Sequence, residues 1–324
     1  MSKPWMRPAR RALTALTVLA ALMALAAAPA RNASAEELGS LLEDVTAAYA
    51  RSYLAPLIYS LGPDLNSGIY NTAAIAQSGL SIQFGVVGSA VHLAEADQTF
   101  QKVIPDVDLG DYSDDPAFDG VTGDIVMSGP TVFGDTDAPG SVAGYVSGVQ
   151  VFNQETIEGL IKSRYAPVAL PQASIGGVSG FRGTVRWLPE MDLGDLGKTK
   201  VFGWGLQWNA NGVMPTLPFD AMIGFFRQSL DIGSLVEVDA NSMFVAVSKP
   251  FSLATVYAGY AKEDSEVAIA YTYSGDGSDV AFTVDDTQES HFTIGATLNV
   301  LAKLNVEMNH GDLTTYAAGL MFGF

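Results

Sequence analysis

The last eleven residues, Thr314–Phe324, read "TTYAAGLMFGF". Counting back from the end, one parity holds Phe324, Phe322, Leu320, Ala318 and Tyr316, and the other holds Gly323, Met321, Gly319, Ala317 and Thr315. The first set is aromatic and aliphatic; the second is mostly small. A period of two marks a β-strand whose two faces meet different surroundings. A soluble antiparallel sheet alternates in the same way, so the rest of the chain has to decide between lipid and a buried core.

The other end of the chain bears on that decision. "MSKPWMRPARR" is basic, "ALTALTVLAALMALAAAPA" is a run of apolar and small residues, and Ala33-Ser34-Ala35 precedes "EEL". This is the pattern of a secretory signal with an A-x-A cleavage site, predicted to occupy residues 1–35, and it fits better than a retained anchor. Cleavage there removes five of the 17 basic residues, leaving 12 against 35 acidic ones and a net charge of about −23. Such a balance argues against nucleic acid as a direct partner. The chain has no cysteine, which excludes disulfides, thiolate nucleophiles and cysteine-ligated metals. No later run of about 20 apolar residues could form a membrane helix, although 48% of the residues are hydrophobic. They are dispersed at alternate positions, as in a transmembrane barrel.

Residues 36 to about 61 have helical spacing: Leu38, Leu41, Leu42, Val45, Tyr49 and Tyr53 recur at three and four, and "GPDLNSG" is expected to end the helix. The segment 36–78 is expected to contact the barrel, either capping its periplasmic mouth or plugging its lumen. The barrel itself is expected over 79–324. Strong alternation occurs in "GLSIQFGV", "FRGTVRW", "KVFGWGLQWN", "LVEVDANSMF", "EVAIAYTYS", "HFTIGATLNV" and "KLNVEMNH". In these segments Arg182, Arg186, Glu237, Asp239, Glu266, Lys303 and Glu307 all fall on the polar parity. A wall facing lipid must keep charge on the lumen side, and aromatic residues spread toward strand ends suit its interfacial girdles. The predicted fold is therefore all-β, a transmembrane antiparallel β-barrel of about 10–14 strands with an N-terminal helix; a soluble periplasmic sandwich is the rival.

With residues 219–230, 253–261, 280–285 and the final strand, the candidates number eleven. Since single-chain bacterial barrels have an even count, a twelfth is sought around "YVSGVQVF", between Phe118 and Phe152. The alternative is that residues 265–285 form one long strand, which gives ten. "AKL" near Ala302 is expected as an inner turn, with "LPEMDLGDLGK", "KED" and "DDTQES" as outer loops. Residues 95–140 stand apart as an acidic loop or insertion: Glu95 to Asp137 carry eleven acidic residues and one lysine.

Few residues suggest chemistry. Asp106, Asp108 and Asp111 in "DVDLGD" have partial calcium-loop spacing, but the helix–loop–helix frame and the later glutamate are missing, and no metal or cofactor is expected. His92, His291 and His310 read as strand-end or loop residues. Ser290 and His291 are adjacent on a strand and so point to opposite faces, which argues against an enzyme. The best lead is "GFRGTVRW": Arg182 and Arg186 share one face with Thr184 between them. Together with Glu237, Asp239, Lys303 and Glu307 they would either fill a narrow lumen with ion pairs or line a solute path.

"AYARSYLAPLIYSLGPDLNSGIYNTA", "GPTVFG", "RGTVRWLPEMDLG", "LPFDAMIGFF", "VSKPFSLATVYAGYAKEDSEVAIAYTY" and the closing strand together resemble an uncharacterised family of outer-membrane β-barrel proteins of Gram-negative bacteria. There is a more distant likeness to hydrophobic-solute channels of the fatty-acid transporter type. The final strand is similar to the C-terminal signal read by the barrel assembly machinery, which implies that Tyr316, Leu320, Phe322 and Phe324 form an insertion signal. The resemblance implies residence in the outer membrane, contact with its lipid, and passage of a small or hydrophobic solute. A structural or interaction protein displaying acidic loops, and a soluble periplasmic binding protein, are the alternatives.

Overall fold

The computed structural model describes residues 46–113, 115–192, 198–272, 277, 279–285 and 288–323. The expected signal segment, the first part of the expected helix and Phe324 lie outside the described residues. In chain order the elements are helix α1 (Ala47–Leu65), then β1 (Ser81–His92), β2 (Thr99–Asp108), β3 (Thr122–Pro130), β4 (Ser141–Val146), β5 (Val149–Glu155), β6 (Tyr165–Val178), β7 (Phe181–Asp192), β8 (Lys198–Asn209), β9 (Asp220–Ile232), β10 (Val236–Pro250), β11 (Ala254–Thr272), β12 (Asp279–Asp285), β13 (Ser290–Asn299), β14 (Lys303–His310) and β15 (Thr314–Gly323).

Antiparallel pairing closes the sheet on itself. β1 pairs with both β6 and β15, and β10 pairs with β11, so the barrel has no free end. The sheet has eleven strands, but β12 and β13 occupy one position, each pairing with a different half of β11. The wall therefore has ten strand positions.

Several expectations change. The candidates at 253–261 and 266–274 meet in one 19-residue strand, β11 (Ala254–Thr272), so "KED" lies within the wall and is not an outer loop. "YVSGVQVF" forms the β4–β5 hairpin of a separate four-stranded meander, β2-β3-β4-β5, inserted between β1 and β6. The acidic 95–140 segment thus contributes two strands, β2 and β3, to a sheet of its own. The remaining barrel strand, β6, had no counterpart among the sequence candidates because Pro167 and Pro171 interrupt its apolar run. Helix α1 continues through Gly62-Pro63 to Leu65, past the expected stop, because it is buried on nearly every side.

The wall has two regimes. In the half where β1 begins and β15 ends, apolar side chains point outward: Phe84 is 58% exposed, and Phe181, Leu206, Val247, Val256, Leu298 and Phe322 share that face. Polar side chains such as Gln83, Gln207, Thr255, Thr297 and Asn305 point inward and are buried. Aromatic pairs such as Phe84–Phe322, Phe181–Trp208 and Tyr260–Phe292 sit on the outer face, with ring centroids 6.1, 6.4 and 4.9 Å apart. In the other half of β9–β11 the faces exchange character. Leu230, Ile232, Val236, Val238, Val267 and Ile269 point inward against α1, while Glu237, Lys262, Asp264 and Glu266 are exposed outside.

That exchange overturns the placement of Glu237, Asp239 and Glu266 on a lumen face. Strand alternation holds, but this part of the wall encloses a helix, so its interior is apolar and its exterior carries the charges. The helix core is continuous with the meander. Tyr49, Tyr53, Leu54, Ile58 and Leu61 of α1 belong to one buried cluster with Ile125, Met127, Val132 and Phe133.

Candidate functional site: the occupied lumen

The helix ends inside the barrel, and residues 66–78 thread the polar half of the lumen before β1 begins. This strap has no regular structure, so its backbone groups need partners from elsewhere. The wall supplies them. Arg186 donates to the carbonyls of Leu65 and Ser67, each at 2.6 Å, and Gln228 donates to Leu65 at 2.6 Å. Thr297 donates to Asn71 at 2.6 Å, Asn209 to Ala73 at 2.8 Å, and Gln172 to Ile69 at 3.4 Å. Arg182 reaches both Ala74, at 2.6 Å, and Thr72, at 3.3 Å. Two strap amides are also held: Gly68 N–H donates to Glu307 Oε1 at 2.6 Å and Ala73 N–H to Ser248 Oγ at 3.0 Å.

Six strap carbonyls, and that of Leu65 at the end of α1, are thus taken by side chains from β6, β7, β8, β9 and β13, with β10 and β14 binding the amides. The wall residues also support one another. Arg186 Nε donates to Gln172 at 2.9 Å, Arg182 donates to Gln207 at 3.3 Å, and Gln207 donates to Thr184 at 3.3 Å. Glu307 accepts from the Tyr257 hydroxyl at 2.7 Å and from Asn309 at 3.0 Å. Strap side chains fill the remaining space: Ile69, Tyr70, Ala73 and Ile75 cluster with Met222, Phe226, Phe244 and Tyr257. Inward glycines make room for the aromatic rings, and a Cβ on Gly259 or Gly295 would overlap Tyr70 or Tyr257.

Of the expected lumen residues, Arg182, Thr184, Arg186, Lys303 and Glu307 come together. The anticipated ion-pair network does not form among them: the two arginines bind carbonyls and amides, and no salt bridge joins them to an acid among the described residues. Arg182 and Lys303 line a cavity of about 210 Å³ between the strap and the wall, at the end where β1 starts. The neutral amides Gln172, Asn209 and Gln228 also hold backbone carbonyls, and Gln207 braces Arg182. Their sequence signal was the polar parity of each strand, which the search for charge passed over.

Two buried acids lie elsewhere. His291, expected at a strand end, points inward and sits 2.7 Å from Glu263, which also accepts from Gln288 at 2.9 Å. Asp64, in the last turn of α1, is 1% exposed, and neither carboxylate oxygen has a hydrogen-bond partner among the described residues. Burial pushes its carboxyl well above the usual carboxylate range. Asp108 of the acidic segment accepts from the amides of Gly110 and Gly120, capping a short turn.

A family model spans residues 9–324, nearly the whole chain. The chain belongs to DUF6588, a family of unknown function. No curated protein matches the sequence. Among solved structures, this DUF6588 barrel is similar to the outer-membrane protein OmpT of Vibrio cholerae in trimer form. Identity there is 9%, with 76% of this chain and 100% of that chain covered and a TM-score of 0.26. The toluene transporter TbuX of Ralstonia pickettii gives 9% identity, covering 78% and 91%, with a TM-score of 0.24. An anion-selective porin from Comamonas acidovorans gives 12% identity, covering 76% and 100%, with a TM-score of 0.19.

In the DUF6588 barrel, Tyr316, Leu320 and Phe322 of the expected insertion signal face outward on β15, between β1 and β14.

Proposed function

We propose that this chain resides in the outer membrane as a solute pore closed by its own N-terminal segment. The observation that carries the reading is how the strap is held. Its backbone is bound by wall side chains that would otherwise be the hydrated lining of a channel. Hydrogen bonds of this kind exchange readily with water, so the strap can leave without stranding buried polar groups. The short turn at Ser179-Gly180 and the end of β15 lie at the strap's exit and would face the periplasm; the acidic meander would lie outside.

A second reading has its own support. The apolar core joining α1 to the meander makes the upper half a permanently filled platform for an acidic surface, as suits a structural or interaction protein. Planar-bilayer recordings separate the two. The full chain should show low or flickering conductance, and the Arg182→Ala/Arg186→Ala variant should show steady opening while keeping heat-modifiable migration on a denaturing gel. Closed behaviour in both, with the barrel intact, would refute the pore and favour the platform.

A further inference from the structure

The cavity of about 210 Å³ at the end of the lumen where β1 starts has an uneven charge balance. The chain carries 35 acidic and 17 basic residues, yet Arg182 and Lys303 both line this space and no aspartate or glutamate does. Glu307, the inward acid on the strand of Lys303, is already engaged with Gly68, Tyr257 and Asn309 and stays off the lining. Two like charges around so small a volume repel each other, and each has lost part of its hydration. In a cavity that no acid lines, an anion from solution relieves that cost.

The lining also offers donors that the strap leaves unused. A guanidinium has five N–H groups; Arg182 commits three of them, to Thr72, Ala74 and Gln207, and keeps the rest. Lys303 is half-buried, and its ammonium has no hydrogen-bond or salt-bridge partner among the described residues. Gln83 is buried and accepts from Asn71 at 3.4 Å, while its own amide N–H groups have no acceptor among the described residues. A guanidinium, an ammonium and an amide around one space form the kind of donor set that holds a phosphate or a carboxylate. The volume lies below the roughly 300–1,000 Å³ of pockets for drug-sized ligands, so the occupant is small. Ala74 and Ala76 of the strap and Asn299 at the end of β13 are exposed members of the lining, so an ion can reach the cavity while the strap stays in place.

We infer that this cavity is a binding site for a small dianion, a phosphate or a short dicarboxylate, held between Arg182 and Lys303. The inference deepens the pore reading by giving the solute at this mouth a charge, and it rests on that reading for passage alone; binding is measured on the closed barrel.

The test is isothermal titration calorimetry of the full chain in a neutral detergent, with sodium phosphate and with sodium succinate at constant ionic strength, alongside the urea midpoint in the same solutions. At least one of the two dianions should bind saturably and raise the midpoint, since a ligand that binds only the folded state stabilises it. Lys303→Gln removes the charge from a side chain that holds no part of the strap, and should weaken binding at least about tenfold, the effect of losing one charge-assisted hydrogen bond. Lys303→Arg should keep the affinity. Lys249→Gln removes an exposed charge at the same end of the barrel and should change nothing. Binding of phosphate alone assigns the site to phosphoryl groups, and binding of succinate alone assigns it to dicarboxylates. No binding of either, or equal affinity in Lys303→Gln with heat-modifiable migration intact, would overturn the site. Closed recordings of the Arg182→Ala/Arg186→Ala variant would refute the pore and leave this titration unaffected.

Discussion

Replacing Arg186 with alanine tests the strap most directly. The side chain is 1% exposed and donates to Leu65, Ser67, Gln172 and Gln228. Leu65 keeps a second donor in Gln228, so the groups left without their arginine donor are the Ser67 carbonyl and the amide oxygens of Gln172 and Gln228. Each stranded buried acceptor costs about 1–3 kcal/mol, and the vacated volume adds to that. Removing the buried charge itself gives some energy back, because its desolvation is no longer required. The expected net loss is about 3–5 kcal/mol, the range for breaking a buried polar pair from one side. The assay is urea unfolding in detergent, followed by tryptophan fluorescence and by the gel shift between boiled and unboiled samples. Arg186→Lys should recover only part of the loss, since an ammonium lacks the planar fork that spans two carbonyls. A change below 1 kcal/mol in Arg186→Ala, or full recovery in the lysine variant, would refute the bidentate grip.

Further outcomes follow from single features. Gly68 has φ +68°, and an added Cβ would overlap Val87, so Gly68→Ala should destabilise by about 1–3 kcal/mol; Val87→Ala in the same chain should return part of it in the same unfolding assay. Asp64 has a raised carboxyl pKa, so the native state holds its proton more tightly and stability falls as pH rises above the unfolded value of about 3.9. Asp64→Asn should be more stable at neutral pH and should flatten this slope; an unchanged pH profile would count against it. Glu237→Leu with Asp239→Leu should shift stability by less than about 0.5 kcal/mol, because both side chains face water. Val245→Arg, on the lipid-facing parity of the same strand, should cost about 2–4 kcal/mol. Deleting Phe324 should lower the amount of folded, membrane-inserted protein, and normal amounts would remove the insertion signal from consideration.

Alternation was enough to read most of the wall strands, because "HFTIGATLNV" and the closing strand keep one apolar face along their whole length. It was insufficient on β10. Val236, Val238 and Ala240 look like a lipid face, yet they pack on a helix about 180 residues earlier in sequence. Periodicity shows that two faces differ; it does not show which one meets lipid. The arginines were legible as inward residues, but their partners were not. Unpaired strap carbonyls belong to every residue type, so no composition marks them. β6 escaped notice because proline is expected to break a strand, although here the β1–β6 ladder runs unbroken through Pro167 and Pro171.

The two regimes of the wall limit how such a pore could open. Withdrawing α1 would expose Tyr53, Leu54, Ile58, Leu61 and Leu65, all buried. At about 1.5–3 kcal/mol each, that loss is comparable with the whole stability of a typical domain. Withdrawing the strap alone exchanges hydrogen bonds with protein for hydrogen bonds with water and exposes only the smaller cluster around Tyr70. The lower half should therefore open while α1 stays in place. Steady conductance in the Arg182→Ala/Arg186→Ala variant would then mean that ions pass between α1 and the wall, whereas closed recordings with the barrel intact would leave the helix as a permanent block and refute the pore.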